Sequence, residues 1–182
     1  MGAVVRSRAT GDNLLCVIEL ATIDTPIDPL TLAVRNGRVC LLHFGADDAS
    51  VRATLQRWYP GEPVELGEDA GGVADALRRY FDGDLETIDR IPVEMNGTPF
   101  QKRVWDALRQ VPAGKTATYA EIAVLIDSPA AVRAVGAANG ANPVAVIVPC
   151  HRIIGSNGAL TGYGGGLHRK EWLLRHEGGR LF

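Results

Sequence analysis

Short blocks of apolar residues, set at the spacings of strands or of helices, run along the whole chain and change character near residue 95. Leu14 to Ile23 is mostly apolar and strand-like. Leu30–Arg35 and Arg38–Phe44 flank Asn36-Gly37, a two-residue hairpin signal, because both turn positions of that hairpin need positive φ. Asp48 is placed to cap a helix whose Val51, Leu55, Trp58 and Tyr59 fall on one face. Val73, Leu77, Tyr80 and Phe81 mark a second helix, closed by Asp82-Gly83. This half reads as a small α+β unit and shows no catalytic constellation. Asp84–Gly97 reads as a connection, giving an N-terminal domain over 1–95 and a C-terminal domain over 96–182.

The second half is patterned for helices. Thr98-Pro99-Phe100-Gln101 combines an N-cap, a first-position proline and a capping-box glutamine, ahead of a stripe of Phe100, Val104, Trp105 and Leu108. Thr118-Tyr119-Ala120-Glu121 is a second capping box, starting a short helix with Ile122, Leu125 and Ile126 inward. Ser128-Pro129 starts a third helix after a very short turn, and two short helices joined so tightly predict a helix-turn-helix. That third helix, about Pro129 to Asn139, has Val132 and Val135 for the core. Ala130, Arg133, Gly136 and Ala137 share another face, bare except for one arginine. Such a face suits close approach to another surface, whether a neighbouring helix or a ligand. A final amphipathic helix runs from Leu167 through Trp172, Leu173 and Leu174 to Glu177 and stops at Gly178-Gly179.

Composition narrows the class. The 182 residues are 46% hydrophobic, which predicts packed domains rather than a disordered chain. No apolar run is long enough to span a membrane, and the first residues lack the pattern of a signal peptide. Cys16, Cys40 and Cys150 are too few and too scattered for a disulfide framework, so a reducing, cytoplasmic setting is expected. The net charge of −2 conceals a division: residues 1–95 carry 9 basic and 16 acidic residues, a balance of −7, while residues 96–182 carry 10 and 5, a balance of +5. A cationic second half can hold a polyanion; chance segregation of surface charge would give the same balance.

The chemistry concentrates after Asn142-Pro143. Val144–Val148 is an unbroken apolar run, expected to be a buried strand, and it ends in Pro149-Cys150-His151-Arg152. A thiolate is the reactive form of cysteine, and at neutral pH a thiol needs a neighbouring base or positive charge to reach it. His151 reaches Cys150 only on a bend or through a water, since adjacent side chains diverge. Glu177 falls in the last turn of its helix, where the dipole disfavours an anion; His151 is one compensating partner, and solvation beside Arg175 or Arg180 is the alternative. Thr161-Gly162-Tyr163-Gly164-Gly165-Gly166 lacks the lysine and spacing of a phosphate loop and reads as a close-fitting pocket wall, with Tyr163 offering a flat face suited to a planar base.

Asn142-Pro143, Pro149-Cys150-His151-Arg152, Tyr163-Gly164-Gly165-Gly166 and Lys170-Glu171-Trp172-Leu173-Leu174 through Glu177 resemble the O6-alkylguanine-DNA alkyltransferase family, closely over the second half and loosely over the first, through Thr22-Ile23-Asp24-Thr25-Pro26. The resemblance implies an α+β fold: a small α/β roll-like N-terminal domain, then a helical winged helix-turn-helix domain that carries the active site. It implies double-stranded DNA with an alkylated guanine as partner, approached from the minor groove, and a single irreversible transfer to Cys150 from a flipped base, with O4-alkylthymine as a second substrate. Cys150 attacks, His151 is the base through a water, Glu177 orients it, Tyr119 protonates guanine N3, and Asn142 is a hinge. Arg133 fills the space left by the base, on a face formed with Ala130, Gly136 and Ala137. Tyr163, Gly164, Val148 and Ile153 fall at base-pocket positions. No cofactor is implied, and a monomer is expected, with cooperative binding on DNA left open. Some relatives hold zinc; Cys16, Cys40 and His43 are available here, no fourth ligand is evident, and a metal-free protein is expected. A transcription regulator, a thiol hydrolase using Cys150, His151 and Glu177, and a non-catalytic lesion binder are the competing readings.

Overall fold

The computed structural model describes residues 16–46 and 49–178. The Asp48 cap, the first residues of the Leu14–Ile23 strand and Gly179 of the C-terminal stop lie outside the described residues. Four strands form the first half: β1 (Ile18–Ile23), β2 (Leu30–Arg35), β3 (Arg38–Phe44) and β4 (Val64–Leu66), in the order β3-β2-β1-β4. The β2–β3 hairpin turns at Asn36 (φ 50°) and Gly37 (φ 70°), the geometry that residue pair favours. β1 pairs antiparallel with β2 and parallel with β4.

The two faces of the sheet have different neighbours. On one, Ile18, Leu20, Ala33, Cys40 and Leu41 pack with Val51, Leu55 and Tyr59 of α1 (Ala49–Trp58) and the residue after it. On the other, Ala21, Ile23, Leu32, Val34, Val39 and Leu42 join a larger core. That core takes in Leu77, Tyr80 and Phe81 of α2 (Val73–Phe81), Val104, Trp105 and Leu108 of α3 (Pro99–Leu108), and the apolar run after Asn142. The hydrophobic core is therefore continuous across both halves.

Both capping boxes form. Thr98 caps α3 with Gln101 reaching back, and Thr118 caps α4 (Tyr119–Leu125) with Glu121 reaching back. α4 is followed by one 3-10 turn, Pro129–Ala131, and then α5 (Val132–Gly140). The expected third helix is thus a 3-10 start followed by a shorter α-helix. Val135 is buried, but Val132 and Leu125 are exposed rather than inward. Trp105 secures α3 to α5 by donating its indole N–H to the Ala138 carbonyl at 2.8 Å. A two-stranded parallel ladder, β5 (Ala117–Thr118) with β6 (Ile153–Ile154), ties the start of α4 to the residues after Cys150. α6 (Leu167–His176) closes the chain.

Val144–Val148 is not a strand. It is a series of turns with a single bridge, Val144 to Leu42, and Val146 sits at φ 68°. Periodicity cannot distinguish a buried strand from other buried segments, and here burial alone explains the apolar run. A β-branched residue at positive φ is strained. The surroundings hold it: Leu42 donates its N–H to the Pro143 carbonyl (2.9 Å) and accepts from the Ala145 N–H (2.8 Å). The edge of the first half's sheet thus splints the segment that leads to Cys150.

Candidate active site

Cys150, His151 and Arg152 form a single 3-10 turn directly after Pro149. Such a turn advances about 120° per residue, so neighbours in sequence point in different directions. Cys150 faces a cavity, while His151 and Arg152 face the end of α6. The turn separates the two side chains, and among the described residues no hydrogen bond joins the Cys150 thiol to the His151 ring.

Glu177 caps the C-terminus of α6 and is buried. Its carboxylate accepts from His151 Nε2 (2.9 Å), from Arg152 Nε (2.9 Å) and Nη2 (2.8 Å), and from the Tyr80 hydroxyl (2.7 Å). Burial alone would push this carboxyl up; the hydrogen bonds and charges of His151 and Arg152 outweigh it and hold Glu177 well below the usual carboxylate range. The unfavourable helix dipole is therefore met by a guanidinium as well as an imidazole. Arg152 also donates Nη1 to the Val111 carbonyl at 2.6 Å. Since a carboxylate only accepts, His151 carries its proton on Nε2, and Nδ1 presents a lone pair. Nδ1 is buried with no hydrogen-bond partner among the described residues. Burial, opposed by Glu177, lowers the His151 pKa, so the ring is neutral and able to accept a proton.

Burial raises the Cys150 thiol above its ordinary value, opposed by the Asn142 hydrogen bond, the Lys170 charge and nearby backbone N–H groups. Asn142 donates Nδ2 to both Cys150 Sγ (3.0 Å) and the Val148 carbonyl (2.8 Å), and its Oδ1 accepts from Val144 N–H (3.0 Å). The resting state is a protonated thiol with a hydrogen bond waiting for the thiolate. Lys170 is fully buried, with no acidic partner among the described residues; it donates to the carbonyls of Ile153 (2.5 Å) and Thr161 (3.0 Å). Desolvation lowers its pKa to about 8, with the charge of Cys150 opposing.

The cavity above Cys150 is lined by Asn139, Gly140, Asn142, Tyr163 and Gly164, and, from β3, by Leu42, His43 and Phe44. Tyr163 supplies the expected flat wall, and its hydroxyl is buried without a partner among the described residues. Val148 and Ile153 are buried behind the cavity rather than lining it, and their carbonyls are taken by Asn142 and Lys170. Tyr119 is also not a lining residue. Its ring packs against Gly136, and its hydroxyl donates to Thr161 at 3.3 Å. Ala130, Arg133 and Ala137 are exposed together beside the half-buried Gly136, and Arg133 has no partner among the described residues.

Three contributors escape sequence reasoning: Tyr80, Arg152 as a buried partner of Glu177, and the wall from β3, which comes from the half that shows no catalytic constellation. For the zinc question, the Cys40 thiol is buried against α1 and donates to the Ala33 carbonyl, while His43 Nδ1 lies 2.7 Å from the Phe44 carbonyl. Among the described residues no group of three or more His, Cys, Asp or Glu could hold a metal ion.

Fold and site together define a class: a helix-turn-helix protein in which a buried cysteine, backed by a neutral histidine and an ionised glutamate, opens on a pocket with an aromatic wall. The model of the 6-O-methylguanine DNA methyltransferase DNA-binding domain matches residues 99–179. A methylated-DNA–protein-cysteine methyltransferase of Shigella flexneri is 56% identical over 108 residues, 59% of this chain; the chain spans 63% of that relative's length. The protein of the same name from Mycobacterium tuberculosis is 47% identical over 164 residues, covering 90% of this chain and 94% of the relative. The crystal structure of the Mycobacterium tuberculosis O6-methylguanine methyltransferase superimposes with a TM-score of 0.74 at 42% identity, covering 88% of this chain and 93% of that one. A structure of that organism's protein in complex with DNA gives 0.73, at 42% identity, over 88% and 92%. This chain belongs to the methylated-DNA–protein-cysteine methyltransferase family.

Proposed function

We propose that this protein repairs DNA by moving an alkyl group from O6 of guanine, and from O4 of thymine, onto Cys150, once per molecule. The observation that supports this best is the pairing of a hydrogen-bonded, protonated thiol with a neutral imidazole on the next residue, whose Nδ1 is buried without a partner among the described residues. The thiol proton passes through a water to His151 Nδ1. Glu177 stays ionised beside Arg152 and stabilises the imidazolium that results. The thiolate attacks the alkyl carbon in line; the S–C bond forms as the C–O6 bond breaks, and its electron pair leaves with the base. Tyr119 supplies a proton to guanine N3, since the anion is a poor leaving group. The product is a thioether with no route back, so one protein repairs one lesion.

The base reaches the thiol by flipping out of the duplex. The exposed face of Ala130, Arg133, Gly136 and Ala137 approaches the minor groove, Arg133 fills the gap, and the base enters between Tyr163 and Gly164 on one side and Asn142 on the other. A hydrolase would need a donor set for an acyl oxyanion, whereas the Asn142 hydrogen bond here is aimed at the sulfur itself. Cys150→Ala should abolish transfer and keep DNA binding, because the thiol supplies the chemistry and the basic half the affinity. Intact-mass measurement after mixing with O6-methylguanine DNA reads this directly. Methylation of Cys16 or Cys40 in that variant would refute the assignment.

A further inference from the structure

We propose that Phe44, at the end of β3 in the first half, sets the size of the alkyl group that Cys150 accepts. The inference rests on the transfer reading above and names the substrate range of that same site. The cavity over Cys150 measures about 150 Å³, the size of a protein cavity that accepts a single benzene. The cavity is partly open to solvent, so a fused two-ring purine, larger than benzene, takes up its space and any further bulk on the transferred carbon meets the lining around the thiol. In an in-line attack the substituents of the transferred carbon splay sideways from the axis of the forming S–C bond and the breaking C–O6 bond. A methyl group carries only hydrogens there. A larger group must find room against the lining, and Leu42, His43 and Phe44 form the β3 side of it.

Phe44 is a fixed part of that side. The Arg169 guanidinium lies 4.9 Å from its ring centroid. Arg169 is itself held by Asp28 (2.8 Å) and by the Gly165 carbonyl (2.5 Å). The ring edge abuts the glycine-rich loop: a Cβ built on Gly165 would stand 3.1 Å from Phe44 Cδ2. The ring is therefore wedged between loop and guanidinium and cannot swing aside to admit bulk. The Phe44 ring makes no hydrogen bond to Cys150 or to its proton relay; its truncation enlarges the cavity, and comparing two substrates in one variant cancels any change common to both.

Single-turnover transfer from duplexes carrying O6-methylguanine or O6-benzylguanine tests this in the unaltered protein, Phe44→Ala and Phe44→Leu. The benzyl-to-methyl rate ratio should rise at least about ten-fold in Phe44→Ala, the scale on which apolar pockets discriminate size. Phe44→Leu should show a smaller rise, and it carries the test alone if Phe44→Ala does not fold. The ratio is insensitive to a general loss of structure, which would slow both substrates. An unchanged or lower ratio in the folded variants overturns the role of Phe44. Absence of the methyl adduct in the unaltered protein overturns the transfer reading itself.

Discussion

Lys170 and Glu177 show how far single buried charges shape this site. Lys170, Leu173, Leu174 and Glu177 follow the i, i+3, i+4, i+7 spacing of one helix face. That spacing already places a lysine and a glutamate on the apolar side of α6, and the structure shows both buried there. Lys170 titrates near pH 8 against an ordinary 10.5. Below pH 8 both folded and unfolded chains hold the proton, and the burial cost is fully present. Between about 8 and 10.5 the unfolded chain binds more protons, so this residue's contribution to stability rises with pH, by about 3 kcal/mol in total. Lys170→Met should remove that rise. Thermal melts of both proteins at pH 7 and pH 10 check it through the difference between them. The same variant removes a cation that favours the Cys150 thiolate, so its transfer rate should fall at neutral pH and its pH profile should move upward. An unmoved profile would leave Lys170 only a clamp on the Ile153 and Thr161 carbonyls.

At the scale of elements, local signals specify structure where they are self-contained. The hairpin turn and both capping boxes are complete within four residues, and all three form. The Val144–Val148 segment was legible as buried but not as bent, because its shape is imposed by Leu42, a hundred residues earlier in the chain, rather than by its own alternation. Arg152 was visible beside Cys150 and His151, yet its burial depends on Glu177, Tyr80 and Val111, which no local spacing connects to it. α5 presents a bare face whose one cation, Arg133, has no partner among the described residues. Arg133→Ala should therefore slow repair of O6-methylguanine strongly in matched duplex, less opposite a missing base, and barely for the free base, which needs no flipping. Single-turnover rates on the three substrates distinguish this from a phosphate contact, which would weaken binding alike in every duplex and reduce the salt slope by about one.

For the whole molecule, charge and core give opposite impressions of the domain boundary. Charge divides the chain near residue 95. The core does not: Leu42, Leu77, Trp105, Val148 and Leu173 belong to one continuous cluster. The first half also reaches the site directly, through Leu42 to the Pro143–Ala145 backbone, Tyr80 to Glu177, and Asp28 to Arg169. One cooperative unfolding transition is expected, with calorimetric and van't Hoff enthalpies equal. Two resolved transitions would show that the halves are independent units joined only in sequence.

The Glu177 contacts have a temporal side. A chain is made from its N-terminus, and Glu177 follows His151 by 26 positions. A ribosome thus delivers the nucleophile and its imidazole before the carboxylate that orients them, and the β-sheet that splints the bend before either. Until α6 is made, His151 and Arg152 lack the carboxylate they donate to. Under the single transfer proposed above, a chain cut short before α6 carries the thiol without the anion that stabilises its imidazolium.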